Sequence, residues 1–163
     1  MRKKYKKIYT LEELKKKISL EKKKKKKISL EKKKKKKIVH CHGVFDVIHV
    51  GHIKHFKSAK NNGDFLVVSL TSDQFVNKGF GRPVFNQNLR SEVIESLESV
   101  DAVYINNNQT PTNLIKSIKP DIYFKGPDYK QISKDRTQNI IKEKNSVEAH
   151  GGKIMFSKDL TFS

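Results

Sequence analysis

The chain has 163 residues, one Cys, no Trp, and 36 Lys and Arg against 17 Asp and Glu, a formal net charge of +19. That length predicts one domain and excludes a second large one, and a single Cys excludes an intrachain disulfide and favours a reducing compartment. No apolar run approaches the ~18 residues of a membrane span or forms the apolar stretch of a signal peptide, so a cytoplasmic location is expected.

The charge is concentrated in one segment. Met1 to Lys37 holds 20 basic and 4 acidic residues, whereas Ile38 to Ser163 holds 16 and 13, so the leader carries +16 and the remainder +3. Residues 18–27 and 28–37 are the same ten letters, Ile-Ser-Leu-Glu followed by six Lys. Two copies with so little apolar surface do not make a solenoid. Thr10 followed by Glu12, Glu13 and Leu14 predicts a capped helix start, which the Lys runs extend as a fraying, self-repelling helix. Residues 1–37 thus form a solvated Lys-rich helical extension, with attraction to nucleic acid or an anionic membrane as the lesser alternative.

From Ile38 the texture becomes that of a globular domain, 38–163. The pattern predicts strand 38–42, helix 52–60, strand 65–70, helix 88–98, strand 102–105, helix 111–118, strand 122–124, helix 137–150 and strand 153–156. Thr110 before Pro111 reads as a helix cap with proline at the first helical position, and Gly151-Gly152 as a helix end. Short apolar strands alternating with helices predict an α/β fold with a doubly wound parallel sheet. Ligands of such sheets bind beyond the carboxyl ends of the strands.

The first strand runs directly into Gly43-Val44-Phe45-Asp46-Val47-Ile48-His49-Val50-Gly51-His52. Gly43 allows close approach of a ligand at the strand end, and Gly51 does so at the start of a helix whose free N–H groups and dipole favour an anion. His49 and His52 flank Gly51 and can aim imidazole donors at that anion, for which a phosphate fits best. A zinc site recruiting His40, Cys41, His42, His49, His52 and His55 is disfavoured, because strand alternation sends Cys41 to the face opposite His40 and His42 and the ligand spacing matches no established structural pattern.

The string Gly-x-Phe-Asp-x-x-His-x-Gly-His resembles the signature of the cytidylyltransferase-like nucleotidyltransferases. The resemblance continues through Lys57 and Ala59, Gly63-Asp64, Thr71-Ser72-Asp73, Arg82-Pro83, Arg90, Val100-Asp101, Lys119-Pro120-Asp121 and Lys125-Gly126-Pro127-Asp128-Tyr129. Together these positions cover about residues 38–156. Within the family, the last motif and Gly151 to Ile154 look most like the adenylyltransferase domain of ADP-heptose synthesis, with glycerol-3-phosphate cytidylyltransferase second.

The resemblance implies a Rossmann-like fold and transfer of AMP or CMP from an NTP, with Mg²⁺, to a sugar or polyol phosphate, releasing pyrophosphate. It implies that His49, His52 and Lys78 are catalytic, the histidines at the transferring phosphoryl group and Lys78 at the acceptor phosphate. It also places Gly43, Val44, Phe45, Asp46, Gly51, Arg90, Lys125, Gly126 and Asp128 at the nucleotide. No resident metal site is expected. A sugar-kinase partner domain or protein fits the family, as does a homodimer, and neither nucleic acid nor a membrane span is required. The family's terminal Ser/Thr-rich motif and helix begin here at Thr161-Phe162-Ser163, where the sequence stops. The competing readings are a basic nucleic-acid-binding protein and an inactive truncated member.

Overall fold

A computed structural model describes residues 6–28, 32–127 and 139–158. The elements run α1 (Leu11–Lys23), β1 (Lys25–Ile28), β2 (Lys32–Lys35), β3 (Ile38–Gly43), α2 (Val50–Asn61), β4 (Phe65–Thr71), a 3₁₀ turn (Asp73–Phe75), α3 (Gln87–Glu95), β5 (Ala102–Asn106), α4 (Thr112–Ile118), β6 (Ile122–Lys125), α5 (Asn139–Glu148) and β7 (Lys153–Phe156). Five strands form one parallel sheet in the order β5-β4-β3-β6-β7, as the α/β pattern requires. The order reverses between β3 and β6, which makes that junction the switch point of the fold.

Alternation along the strands builds two cores. Val39, Cys41, Leu66, Val68, Leu70 and Phe124 face Phe56 and Ala59 of α2 and Ile94 of α3. Ile38, Phe65, Val67 and Ala102 face the other side, against Leu114 and Ile118 of α4. Three aspartates fix how the strands begin. Asp64 accepts from the Lys37 amide at 2.9 Å, Asp101 from Leu66 at 2.7 Å and Asp121 from Ile38 at 2.8 Å. Each carboxylate satisfies an amide at or next to the start of a neighbouring strand and so helps set the register. These are the aspartates of the Gly-Asp, Val-Asp and Pro-Asp pairs, and each lies just before a strand, at the amino end of the sheet.

The leader departs from a continuous helix. Its first part is helical, with Thr10 and Glu13 forming the expected capping box. The helix stops at Lys23, and the Lys runs then pair as antiparallel strands, Lys25 opposite Lys35 through Ile28 opposite Lys32. Glu21 explains the stop. It is buried and takes Lys24 at 2.8 Å and Lys36 at 3.0 Å, so the one acid of the repeat gathers cations from both sides of the turn. Burial alone would raise its pKa, but hydrogen bonds from Lys24 and Lys36 bring it down to about 2.

The helix is also packed, not solvated all round. Leu14 and Ile18 are 0% and 3% exposed and join the core formed by Ile38, Phe65, Val67, Leu114 and Ile118. Just before it, the Tyr9 amide donates to the Val103 carbonyl at 3.0 Å and Val103 donates to the Lys7 carbonyl at 2.7 Å. This short pairing covers the otherwise open edge of β5.

Helix ends follow the sequence closely, with one shift. Pro111 itself is the cap of α4, one residue later than the Thr110 cap expected, and Lys119 closes that helix in a left-handed conformation. Gly151 has a positive φ of 85°, and the Gly151 and Gly152 amides return to the Glu148 and Val147 carbonyls. Among the described residues no helix is long and apolar enough to cross a membrane.

Candidate active site

The carboxyl ends of β3 and β6 carry Gly43 and Lys125, and α2 opens where the chain leaves β3. His49 caps α2. Its Nδ1 accepts the Gly51 amide at 3.1 Å, while the His49 amide donates to Nδ1 of His52 at 3.3 Å. The two rings lie 4.0 Å apart. A backbone N–H can only donate, so each Nδ1 must present a lone pair and each ring must carry its proton on Nε2. The pair is therefore locked as two Nε2–H donors. The Gly51 N–H, one of those at the helix start expected to favour an anion, is taken by His49 Nδ1.

His52 is half-buried, with its ring against the edge of Phe45 at 5.6 Å between centroids. Burial, helped by His49, His55 and Lys78, pushes its pKa from 6.5 down to about 4. It is neutral at pH 7, a hydrogen-bond donor without charge. Lys78 is exposed in the loop between Gly79 and the 3₁₀ turn, and its charge reaches His52.

Several expected nucleotide contacts are turned inward. Phe45, at φ 50°, is 8% exposed and packs edge-on to Phe56. A Cβ on Gly43 would meet that Phe45 ring at 2.9 Å, so Gly43 makes room for Phe45. Asp46 is buried and accepts from Arg82 Nη1 at 2.8 Å and the Val84 amide at 2.7 Å. Burial would raise its pKa, but the Arg82 and Val84 hydrogen bonds hold it below the ordinary value. It anchors the 82–85 loop.

Arg90, expected at the nucleotide, is 1% exposed. Its guanidinium donates to the carbonyls of Val44 at 2.6 Å, Thr71 at 2.9 Å and Phe85 at 3.0 Å, and to Asp73 at 2.6 Å. Arg90 is thus a positioning residue that ties the ends of β3 and β4 to the loop leading into α3. Nothing in the local sequence signals this, because its partners lie 5 to 46 residues away.

Lys125 is 6% exposed, 3.4 Å from the Glu143 carboxylate and 5.4 Å from the Tyr123 ring centre. The Tyr123 hydroxyl donates to Glu143 at 2.9 Å. Glu143 of α5, absent from the sequence reading, therefore holds Lys125 at the end of β6. Gly126 follows in the loop, half-buried, and Asp128 and Thr161 to Ser163 lie outside the described residues. Beside this group runs a second polar chain. The Ser69 hydroxyl lies 2.7 Å from both His40 Nε2 and His42 Nδ1, and His42 Nε2 lies 3.4 Å from the Thr71 hydroxyl.

A parallel sheet that reverses order beside a helix capped by paired histidines defines a Rossmann-like nucleotidyltransferase fold. The family model described as "Cytidylyltransferase-like" matches residues 40–158, and the chain belongs to that family. It is 40% identical over 119 residues to the bifunctional protein HldE of Methylobacillus flagellatus, covering 72% of this chain and 23% of the relative. Against HldE of Aliarcobacter butzleri it is 45% identical over 119 residues, covering 71% and 25%. The chain thus spans about a quarter of the length of these relatives. Among solved structures, a lipopolysaccharide core biosynthesis protein from Thermoplasma volcanium superposes with a TM-score of 0.63 at 26% identity, over 77% of this chain and 99% of that one. A pantoate-beta-alanine ligase from Francisella tularensis, at 18% identity and a TM-score of 0.56 over 94% of this chain and 67% of its own, shares the fold.

Proposed function

We propose that this domain transfers a nucleoside monophosphate, AMP in preference to CMP, from an NTP to a sugar or polyol phosphate and releases pyrophosphate. The observation that carries the reading is the reciprocal cap of His49 and His52, which presents two oriented Nε2–H donors at the opening of α2. A phosphate oxygen of the acceptor attacks the α-phosphorus in line, the bond to the bridging oxygen breaks, and pyrophosphate leaves with the electron pair. The imidazole donors bind the non-bridging oxygens as negative charge redistributes over them. Because they are already oriented, they need little reorganisation as the reaction proceeds.

Mg²⁺ belongs to the substrate in this scheme. The nearby carboxylates are engaged, Asp46 by Arg82 and Val84 and Asp73 by Arg90, so the metal would arrive with the triphosphate it neutralises. Lys78 would meet the acceptor phosphate and Lys125 a phosphate near the switch point. The HldE relatives, described as bifunctional, and the lipopolysaccharide core protein support a role in making a cytoplasmic sugar-nucleotide precursor of cell-surface polysaccharide, with a sugar kinase as functional partner. The test is pyrophosphate release with Mg²⁺, each NTP and a panel that includes heptose 1-phosphate and glycerol 3-phosphate. Release should occur with one pairing, and release unaffected by His52→Ala would overturn the mechanism.

A further inference from the structure

His40, in the central strand β3, is fully buried, and its Nδ1 has no hydrogen-bond partner among the described residues. A buried N–H without an acceptor is rarer in proteins than an under-used acceptor, so this nitrogen is the one left unprotonated. The proton of His40 then sits on Nε2 and donates to the Ser69 oxygen at 2.7 Å. Ser69 has one hydroxyl proton, and the remaining neighbour at 2.7 Å is Nδ1 of His42, which must accept it. His42 is consequently protonated on Nε2, the nitrogen nearer the carboxyl end of the sheet, where Thr71 at 3.4 Å is a long partner.

This ring also feels the charge of Lys125 across the switch point. β3 and β6 pair Val39 with Ile122 and His40 with Tyr123, where that ladder ends, and each strand then runs on, reaching His42 and Lys125 two residues further. Burial and then the Lys125 charge both push the His42 pKa well below its ordinary value, so the ring stays neutral next to an ammonium. We propose that His42 is a third imidazole donor of the site, fixed as the Nε2–H tautomer by Ser69 and His40, and that with Lys125 it binds a phosphate oxygen of the substrate at the switch point. Ser69 and His40 are then positioning residues. The proposal rests on the nucleotidyltransferase reading of this crevice and adds a subsite to it. The phosphate can come from the nucleotide or from the sugar phosphate.

Nitrogen-15 spectra of the imidazoles in the full chain test this without turnover. The expected result is His42 protonated on Nε2, a mixture of tautomers in Ser69→Ala, and the original state kept in Ser69→Thr. Titration with ATP and, separately, glycerol 3-phosphate should shift the His42 resonances in one arm, and that arm names the source. In kinetics, His42→Ala should raise KM for that same substrate about tenfold with a smaller change in kcat, and His42→Asn, which keeps an N–H donor, should recover most of the loss. An Nδ1–H tautomer, or resonances indifferent to both phosphate compounds, overturns the proposal. An inactive chain whose His42 still answers to phosphate would overturn the proposed reaction and leave this subsite standing.

Discussion

Arg90 Nη1 reaches the Val44 carbonyl at 2.6 Å across 46 residues of sequence, and the same nitrogen holds the Thr71 carbonyl at 2.9 Å. One buried guanidinium therefore sets the spacing between the exits of β3 and β4, the two strands whose ends frame the histidine loop. Arg90→Ala would strand several acceptors and free the loop. We expect a loss of about 2–4 kcal/mol in urea unfolding, with activity reduced even where the variant remains folded. Arg90→Lys, lacking the planar fork, should recover little of either.

The histidine pair can be separated into structural and chemical parts. His49→Asn keeps an N-cap acceptor, so its stability should stay within about 0.5 kcal/mol of the parent. The ring donor is lost, and the rate of pyrophosphate release should fall about 100-fold or more. Equal retention of stability and rate would show that His49 serves the helix alone.

Acid sensitivity follows from the depressed histidines. His52 and His40 titrate near 4 and 3 in the fold against 6.5 in the open chain, and His42 well below that value. Between those limits the unfolded chain binds more protons than the folded one, so stability rises with pH across the window. It is present in full above about pH 6.5 and declines as the pH falls toward 4. Urea midpoints recorded across this range should fall steadily, and in His40→Leu they should fall less, whatever that variant's starting stability. A midpoint independent of pH between those values would contradict the buried, neutral state.

Gly43→Ala places a methyl 2.9 Å from the Phe45 ring. Phe45 is held between Phe56 and His52, so it cannot yield without moving His52. The expected outcome is a loss of about 1–3 kcal/mol and an NMR shift at His52. An unchanged His52 signal would show that the ring and the site are uncoupled.

Leu14→Ala tests the leader as part of the core. With Leu14 fully buried, the substitution should cost about 3 kcal/mol. Substituting Lys16, an exposed residue of the same helix, by Gln should change stability by less than about 0.5 kcal/mol. Equal effects would contradict the packing.

Periodicity and caps exposed most of the fold in advance. β3 to β7 fall within a residue of their predicted starts, because short apolar runs bounded by Gly, Pro and Asp leave little choice of boundary. The placement of His49 and His52 at the opening of α2 was legible through spacing and neighbouring glycines. The roles of Arg90 and Asp46 were not, since each is defined by partners tens of residues away that only the folded sheet brings near. The packing of α1 was hidden for another reason. Two apolar residues four apart, Leu14 and Ile18, are a faint signal among lysines, yet two side chains suffice to fill the space beside α4.

The ten-residue duplication has unequal copies once folded. In the first, Ile18 is buried under the sheet and Glu21 gathers lysines; in the second, Ile28 ends a strand of the Lys hairpin. Identical letters thus hold two different positions, one in a helix packed on the core and one in a strand of the hairpin. Gain or loss of a whole copy, the change to which tandem repeats are most prone, would change the length of the Lys hairpin and leave Leu14 and Ile18 of α1 in place in the core.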